Sequence, residues 1–522
     1  MVTELKIEEL SVEQKIGQLI VARHCMAEED REIVLEMIKK RAVGGVQTGF
    51  ESDYKEFMDE VKRTADYPLL ICADMETGYP GGEMKIPFPM GIASSGVPHN
   101  AYDLGRVVAI EAKKDGANCI WGPVADIAME GALCKIARCF SDDPETVSDY
   151  VIEMIKGLQA EGMIVTLKHF PGGSDILCDT HLMTEASSFN EKELLEKDII
   201  PYIRAMKEAD LSGIMTSHIL FPEIDDKYIA SLSKKVIDII RKQGFDGLIV
   251  TDSLAMMAIA NNYGDEAALG LAISAGNDMV LPNFRVGYKQ TYEYLMNAYK
   301  QGIITDERLD EAVRHVLEAQ KKTMKKPSHN EIPDDLKKTV EDSNKNSIIA
   351  ILKEGYDVKL SEESKKLFVL LCENSYPEID GTSPEFDSKA YFLKNKVEMI
   401  KESLLKNFPG SNAIIISEFP HQHEMRKVCE ETIKYDEIVF YIFCRASSYL
   451  GSDGITERVK NLIHANANKT AAIVHIGNPY EIKNFKNIKR IITASYGSNT
   501  EEWIIKALKG EFEPTGKLPV LL

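Results

Sequence analysis

The sequence predicts an α/β protein in which an N-terminal (β/α)8 barrel of the TIM type is followed by a smaller three-layer α/β sandwich domain. Three observations lead to this fold class. The first 285 residues contain eight apolar runs rich in Val, Ile and Leu, most of them separated by amphipathic stretches long enough to cross a sheet. The runs are almost continuously hydrophobic, which indicates strands buried on both faces and therefore parallel pairing. Charged residues stand at the ends of most runs, as they do at the mouth of a barrel.

Each predicted strand is short, and eight parallel strands with intervening helices close most naturally into a barrel. The eight runs lie at residues 16–22, 43–48, 68–74, 118–124, 162–168, 211–217, 247–252 and 277–281. The helical patterns include residues 100–117, 143–161, 191–209 and 233–243. Residues 76–99 are irregular and predict a long loop after the third strand.

A charged, proline-containing stretch near residues 324–336 predicts a linker between two domains. We therefore expect a barrel domain over residues 1–325, a linker over 326–340 and an α/β sandwich domain over 341–522. Five further apolar runs alternate with helical patterns in the last of these, at residues 367–372, 413–417, 438–444, 471–477 and 491–495. This alternation predicts the three-layer sandwich.

The composition excludes several classes of function. The 522 residues carry 62 Lys and Arg against 82 Asp and Glu, a net charge of −20, which argues against binding to nucleic acid or to an anionic membrane. No run is long and apolar enough for a membrane span, and the first twenty residues lack the apolar segment of a signal peptide. The nine cysteines are scattered without a C-x-x-C pair, so reduced thiols in the cytoplasm are expected. Neither a Walker A loop nor a strand-linked G-x-G-x-x-G is present, so nothing requires a nucleotide cofactor.

Residues 168–181, KHFPGGSDILCDTH, crowd polar side chains directly behind an apolar strand. In the segment from Asp179 to His181, residues i and i+2 of an extended chain point the same way, so the carboxylate can orient the imidazole as a general acid/base. A solvated loop pair is the alternative. Lys168 and His169 can donate hydrogen bonds to substrate hydroxyls, although such a lysine could instead form a Schiff base in an aldolase-type barrel.

Asp252 lies in the segment GLIVTDSL, at the end of the apolar run 247–252, and is the candidate nucleophile or cation-stabilising carboxylate. Its alternative role is to cap the following helix. Arg138 is a further basic candidate, whose alternative is a surface salt bridge to Asp142 or Asp143.

Other predicted strands also end in charged residues. Arg23 and His24 follow the first strand, Asp74 ends the third, Asp126 follows the fourth and His218 follows the sixth. For the two histidines we favour an ordinary structural role. The carboxyl ends of parallel strands meet at one rim, so we expect the charged groups to gather there.

The second domain offers two weaker candidates. His421 and His423 are clustered, and we interpret them as solvated loop residues with weak potential to bind a metal. Glu373 and Glu378 follow the first strand of that domain and are candidates for a contribution to the active site.

Together these motifs resemble glycoside hydrolase family 3, and within it the bacterial β-N-acetylhexosaminidase branch. That branch is recognised by K-H-F-P-G-[HG]-G-x₄-D-[ST]-H, which residues 168–181 match except at Gly173-Ser174, where His-Gly is usual. The resemblance extends in order and spacing over about residues 10–285, and residues 514–520, PTGKLPV, look like the end of the family's second domain.

The resemblance implies that Asp252 is the catalytic nucleophile and that Asp179 and His181 form a dyad in which the imidazole is the acid/base. The residues that it implies for binding the sugar in the −1 subsite are Asp74, Arg138, Lys168 and His169. The implied activity is a retaining, exo-acting hydrolysis that removes terminal β-linked N-acetylglucosamine or a related hexose by double displacement. No metal and no organic cofactor is implied.

Two departures leave the sugar open. The family usually has D-Q-E-G-G-R where residues 74–83 read DMETGYPGGE, so the usual arginine is missing, and Gly173 replaces a histidine. Four alternatives stay open: a glycoside phosphorylase, because a neutral imidazole base does not repel phosphate; a β-glycosidase with another sugar preference; a lyase that uses Lys168; and a non-catalytic sugar-binding protein. The expected partner is a small oligosaccharide or glycoside substrate, and assembly into a homodimer stays open.

Overall fold

The computed structural model describes residues 2–23, 28–48, 52–132, 136–372, 384–444, 454–495, 497 and 499–522. They divide into two compact units. The first comprises the described residues up to 86, residues 97–132 and residues 139–340. The second comprises residues 87–96, the 3-10 helix Ile136–Arg138 and the described residues from 341 onwards.

The first unit contains a nearly closed barrel of eight parallel strands in sequential order, which confirms the predicted fold class. The strands are β1 (Val21–Ala22), β2 (Gly45–Gln47), β3 (Leu70–Asp74), β4 (Cys119–Val124), β5 (Ile164–Phe170), β6 (Gly213–Thr216), β7 (Leu248–Ser253) and β8 (Met279–Leu281). An isolated parallel bridge between Ile20 and Val280 joins the last strand to the first. The carboxyl ends of the strands therefore meet at one rim.

Helices connect the strands and continue beyond the barrel. In chain order they are α1 (Val12–Gln18), α2 (Glu28–Lys39), α3 (Ser52–Thr64), α4 (Pro89–Ala93), α5 (His99–Asp115), α6 (Pro144–Ala160), α7 (Glu191–Glu196), α8 (Ile200–Glu208), α9 (Lys234–Lys242), α10 (Met257–Ala260), α11 (Asp265–Ala275), α12 (Tyr288–Lys300), α13 (Asp306–Lys322) and α14 (Asp334–Asn346). Among the described residues, no helix is both long and apolar enough to cross a membrane.

Two elements differ from the prediction. The first apolar run, residues 16–22, begins as helix, because Ser11 and Gln14 form a capping box that starts α1, and α1 continues to Gln18. Only two residues are left for β1. The helix predicted over residues 191–209 is two helices, α7 and α8. Pro201 lies in the first turn of α8, where its missing N–H is tolerated, whereas a continuous helix would need that donor.

The interior of the barrel is filled with side chains rather than open. A buried cluster draws on most of the strands and includes Val21, Leu70, Cys72, Cys119, Trp121, Ile164, Met215, Val250 and Met279. The cysteines whose side chains are described are free thiols, namely Cys72, Cys119, Cys139, Cys178, Cys429 and Cys444. Because the interior is packed, space for a binding site lies at the barrel ends.

The second unit contains a six-stranded sheet in the order β11-β10-β12-β13-β14-β9, in which only the edge strand β9 is antiparallel to its neighbour within the described residues. The strands are β9 (Ile348–Leu352), β10 (Lys366–Cys372), β11 (Asn412–Ser417), β12 (Glu437–Cys444), β13 (Thr470–Gly477) and β14 (Arg490–Ala494). The helices are α15 (Pro384–Asn407), α16 (Gln422–Thr432), α17 (Glu457–Ala465) and α18 (Thr500–Leu508).

Each face of this sheet has its own apolar core. Along β10, Phe368 and Leu370 belong to one buried cluster, whereas Leu367 and Val369 belong to the other, as expected for side chains that alternate between faces. The three-layer architecture is therefore confirmed. β9 was not predicted; it is a five-residue edge strand that directly follows α14 and lies close to the predicted linker.

Candidate active site

Asp252 lies at the end of β7, where the pairing with β8 is irregular. Val250 pairs with Met279 and Ser253 pairs with Leu281, so three steps along β7 oppose two steps along β8. Such a bulge bends a strand and redirects its side chains. The Asp252 side chain is 20% exposed, and its Oδ1 accepts a hydrogen bond of 2.6 Å from the Ser253 N–H.

The surroundings of Asp252 favour its ionised form. Burial alone would raise the pKa of this carboxyl, but the electrostatic influence of His169, His218 and His181 and the Ser253 N–H hold the pKa well below its usual range. The alternative role as a helix cap is wrong. Helix α10 has Met256 at its N-cap position and receives no side-chain cap.

Asp179 and His181 form the predicted dyad. The distance from His181 Nδ1 to Asp179 Oδ1 is 2.7 Å, and the His181 N–H also donates to Asp179 Oδ1 at 2.9 Å. The segment is a turn rather than the extended chain we expected, since the N–H groups of Leu182 and Met183 both donate to the Asp179 carbonyl. An aspartate that accepts from the N–H two residues ahead favours such a turn over an extended conformation.

The dyad is not a solvated loop pair, because Asp179 is buried. The loop that carries the dyad is attached to the segment after Asp252, where the Met257 N–H donates to the His181 carbonyl oxygen at 3.2 Å. Because the carboxylate contacts Nδ1, a proton transfer by His181 would use Nε2.

Lys168 lies near the end of β5 and is almost completely buried. Its Nζ is 2.7 Å from Asp74 Oδ1 and 2.9 Å from Glu76 Oε1. Two carboxylates hold this ammonium as an ion pair, whereas a Schiff-base lysine must react as a neutral amine. The contacts therefore argue against the lyase alternative and favour a binding role.

His169 lies between two aspartates. Its Nδ1 is 2.7 Å from Asp126 Oδ2, and its Nε2 is 3.9 Å from Asp252 Oδ2. The His169 N–H also donates to Asp126 Oδ1 at 3.3 Å. Asp126 is buried and thus orients the imidazole toward Asp252.

The turn after His169 is held by Asp198, a buried residue between α7 and α8. Its Oδ1 accepts from the N–H groups of Gly173 and Ser174 at 3.2 and 2.9 Å, and its Oδ2 accepts from Ser174 Oγ at 3.1 Å. Gly173 has φ of +122°, and a Cβ there would lie 2.7 Å from the Ile219 side chain. A residue with a Cβ is strained at this φ, so the backbone disfavours the histidine that the family usually has, and the departure concerns the loop conformation as well as one side chain.

The loop after β3 is also built differently from the family pattern. Tyr79, the sixth residue of the stretch that begins at Asp74, is buried, and burial together with nearby Asp115 raises its pKa. Glu111 on α5 accepts hydrogen bonds from the N–H groups of Glu83 and Met84 at 2.7 and 2.9 Å. The loop therefore folds against α5 where the family's arginine is missing.

His218 is fully buried next to the nucleophile candidate. Its Nε2 is 3.0 Å from the Ser253 carbonyl oxygen and its Nδ1 is 2.8 Å from Ser231 Oγ. Burial lowers the pKa of His218 despite the opposing charge of Asp252. His218 thus fits a structural role, and the segment that it holds in place is the one that carries Asp252.

The remaining candidates lie elsewhere. Arg138 ends a 3-10 helix of the second unit, and its part in sugar binding stays a prediction. His421 and His423 are exposed at the start of α16 rather than in a loop. His24, Glu373 and Glu378 lie outside the described residues. Within the described part of the chain, no group of three His, Cys, Asp or Glu residues is placed to hold a metal ion.

Sequence reasoning missed two carboxylates that shape the site. Glu76 contacts Lys168, and its signal was its position two residues after the aspartate that ends β3. Asp198 had a weaker signal, a carboxylate at a break in a helical pattern just before a proline. Neither signal identifies a partner, because the contacted residues are far away in the sequence.

The chain is similar to several known proteins. A β-hexosaminidase from Nitrosomonas eutropha is 37% identical over 227 residues, which are 41% of this chain and 64% of that protein. A β-N-acetylglucosaminidase/β-glucosidase from Cellulomonas fimi is 28% identical over 331 residues, which are 60% of this chain and 57% of that protein. The chain thus spans less than two thirds of the length of both relatives.

Two solved structures share the fold. The glycoside hydrolase family 3 β-N-acetylglucosaminidase of Paenibacillus sp. has a TM-score of 0.81 at 23% identity, over 98% of this chain and 99% of that one. A β-glucoside phosphorylase also has a TM-score of 0.81 at 23% identity, over 99% of this chain and 95% of that one. A family model described as the glycosyl hydrolase family 3 N-terminal domain matches residues 11–319. This match extends over more than half of the sequence, and the chain therefore belongs to glycosyl hydrolase family 3.

Proposed function

We propose that the protein is a retaining, exo-acting β-N-acetylhexosaminidase that removes terminal β-linked N-acetylglucosamine or a related hexose. Asp252 attacks the anomeric carbon while His181 protonates the glycosidic oxygen, and a water deprotonated by His181 then releases the sugar from Asp252. The chemistry resides in the barrel domain of residues 1–325.

The observation that carries the proposal is the ionised carboxylate of Asp252 and the contacts of its two oxygens. Its Oδ1 is bound by a backbone N–H, its Oδ2 faces His169 at 3.9 Å, and its pKa is held low by three histidines. An ionised, partly accessible carboxylate at a barrel rim is a competent nucleophile for a cationic sugar carbon.

The dyad supports the acid/base role of His181. The 2.7 Å contact with buried Asp179 fixes Nδ1, and the carboxylate stabilises the imidazolium that forms when Nε2 accepts a proton from water. The charge of His181 also contributes to the low pKa of Asp252, so the two groups lie within electrostatic range of each other.

The sugar-binding role of the β3 and β5 ends rests on their polar groups. Asp74, Glu76 and Lys168 form one ion-paired cluster, and His169 lies beside Asp252. Carboxylate and ammonium groups at a strand end hydrogen-bond to sugar hydroxyls. Arg138 is assigned to this subsite by family resemblance alone. A non-catalytic sugar-binding protein with this fold would need neither the nucleophile nor the dyad.

The names of the relatives support a hexosaminidase, and the Cellulomonas fimi protein is named for two sugars. The loop at Tyr79 and the turn at Gly173 both differ from the family pattern, and both flank the sugar-binding residues. A β-glycosidase with a different sugar preference therefore stays within the proposal.

A glycoside phosphorylase is the second candidate. Its support is the imidazole acid/base, which in its neutral form does not repel an incoming anion as a carboxylate does. One of the solved structures with this fold is a β-glucoside phosphorylase. In this reaction phosphate takes the place of water, and a sugar 1-phosphate is the product.

A panel of p-nitrophenyl glycosides, assayed with and without phosphate, tests the sugar and the acceptor together. We expect turnover of the β-N-acetylglucosaminide, and a 5-fluoro sugar should label Asp252 covalently. The Asp252→Ala variant should lose turnover and form no labelled enzyme. Wild-type turnover by that variant would show that Asp252 is not the nucleophile. Formation of sugar 1-phosphate would select the phosphorylase.

A further inference from the structure

The bulge in β7 leaves the direction of Asp252 only partly determined by strand pairing. Regular pairing with β8 resumes at Ser253, and Asp252 lies between the two paired positions. A residue in a bulge lacks the ladder hydrogen bonds that fix its neighbours. Something else must hold this backbone if the carboxylate is to keep one orientation.

Ser253 is the residue through which Asp252 is held. Its N–H donates to Asp252 Oδ1 at 2.6 Å, and its carbonyl oxygen is 3.0 Å from His218 Nε2. Its hydroxyl oxygen accepts a hydrogen bond of 2.6 Å from Arg23 Nη1. The side chain and the backbone of Ser253 are therefore bound by two different residues.

Arg23 is itself held from several directions. It follows β1, its Nε donates to Gln47 Oε1 at 3.0 Å, and its Nη1 also donates to the Pro282 carbonyl oxygen at 3.2 Å. Its guanidinium lies over the Phe284 ring, 5.2 Å from the centroid. A planar guanidinium with fixed donor directions can join several elements in one geometry, which a flexible ammonium cannot.

The position of Arg23 adds to this argument. β1 has two residues and β8 has three, and the bridge between Ile20 and Val280 is the pairing that joins them. Few backbone pairs therefore close the barrel between β1 and β8, next to β7. The side-chain contacts of Arg23 connect the ends of β1, β2 and β7 and the segment after β8 across this closure.

We propose that Arg23 is a positioning residue for the reaction, acting through Ser253 to orient the carboxylate of Asp252. By fixing the Ser253 N–H on Oδ1, it leaves Oδ2 as the oxygen that attacks the anomeric carbon. The Ser253 N–H is also among the groups that lower the pKa of Asp252. This inference rests on the proposed function of Asp252 as nucleophile.

The test compares Arg23→Met, Ser253→Ala and the double variant, because methionine keeps much of the apolar stem of arginine. The matched control is Arg285→Met, since Arg285 lies 4.7 Å from the centroid of the same Phe284 ring. Two quantities are measured: kcat/KM for p-nitrophenyl β-N-acetylglucosaminide, and the rate at which a 5-fluoro glycosyl fluoride labels Asp252.

We expect Arg23→Met and Ser253→Ala each to reduce kcat/KM and the labelling rate by about 10- to 100-fold, with KM little changed, as for a small misplacement of a reacting group. The double variant should lose no more than the worse single variant, because both substitutions remove the same contact. Arg23→Lys should be intermediate, and Arg285→Met should behave like the wild type.

Labelling by Arg23→Met or Ser253→Ala at the wild-type rate would overturn the inference while leaving the nucleophile assignment intact. Losses that multiply in the double variant would also overturn it, because two independent structural effects add in free energy. If the reagent labels a different carboxylate in the wild type, the proposed function and this inference are both wrong. Ser253→Ala removes a single oxygen and keeps the test decisive if Arg23→Met does not fold.

Discussion

The barrel unit places an aspartate among basic side chains at each end, and the two sites differ in the groups that surround the carboxylate. Asp278 immediately precedes β8 and is fully buried. It accepts hydrogen bonds from Arg241 at 2.9 Å, from Arg308 at 2.6 Å and from the Ile249 N–H at 2.8 Å, and it lies 2.9 Å from His315 Nδ1. Both carboxylate oxygens are therefore satisfied.

Asp252, at the opposite end of the barrel, has fewer direct hydrogen-bond donors. Among the residues that the structure describes, its hydrogen-bond donor is the Ser253 N–H alone, and His169 Nε2 stays at 3.9 Å. Burial alone would raise the pKa of both aspartates, and in both the neighbouring positive charges lower it.

An ionised aspartate can thus stabilise the fold at one end of the barrel and be reactive at the other. Around Asp278 the cations include two arginines, which stay charged at any ordinary pH and complete its hydrogen bonds, so the carboxylate stabilises the fold. Around Asp252 the basic groups are imidazoles, and within the described part of the chain its Oδ2 has no donor at hydrogen-bond distance. That oxygen is available for chemistry.

The largest expected effect concerns the reactive end. His181→Ala should lower kcat/KM by about 10²- to 10⁴-fold for alkyl glycosides, whose leaving groups need protonation, and far less for a dinitrophenyl glycoside. The measurement is kcat/KM across leaving groups of graded acidity. The exposed His99, on α5, supplies the control His99→Ala. Equal losses across all leaving groups would exclude the acid role.

The next effect concerns the structural end. Asp278→Asn should reduce the free energy of unfolding by about 3–5 kcal/mol, because it removes the buried charge that Arg241, Arg308 and His315 all contact. Asp252→Asn, the matched control, should change it less, since the direct contacts of Asp252 are one backbone N–H and a histidine at 3.9 Å rather than two arginines. Urea denaturation measures both. Similar losses in the two variants would contradict the division of roles.

The pH dependence of stability follows from the same contacts. Because the pKa of Asp278 is lower in the folded than in the unfolded chain, its contribution to stability is present above the unfolded pKa and is lost as the pH falls through the folded pKa. In Asp278→Asn this acid-dependent loss should be reduced.

The smallest effect is a shift in the activity profile. His169→Gln removes a charge that lowers the pKa of Asp252, so that pKa should rise and the acid limb of kcat/KM should move up by about one pH unit. His169→Lys keeps a positive charge, and its acid limb should stay near that of the wild type. A profile of His169→Gln that does not shift would mean that His169 does not set the charge state of Asp252.

Much of the candidate site could be read from local sequence. Asp252 follows an apolar strand, and Lys168, His169, Asp179 and His181 lie within one segment of fourteen residues. Strand periodicity predicts that such residues end at a common rim. The conformation of the dyad was predicted wrongly, because the turn-forming side chain of Asp179 decides it rather than the two-residue repeat of a strand.

The sequence by itself determined the barrel, the sandwich and the strand ends that carry charge, because hydrophobic periodicity and strand order are local properties of the chain. Only the tertiary structure decided the partners of those charges. Lys168 and Asp74 are separated by 94 residues and Arg23 and Ser253 by 230, and no pattern in the intervening sequence specifies either contact. Such contacts depend on barrel closure, which brings the ends of distant strands within hydrogen-bond distance.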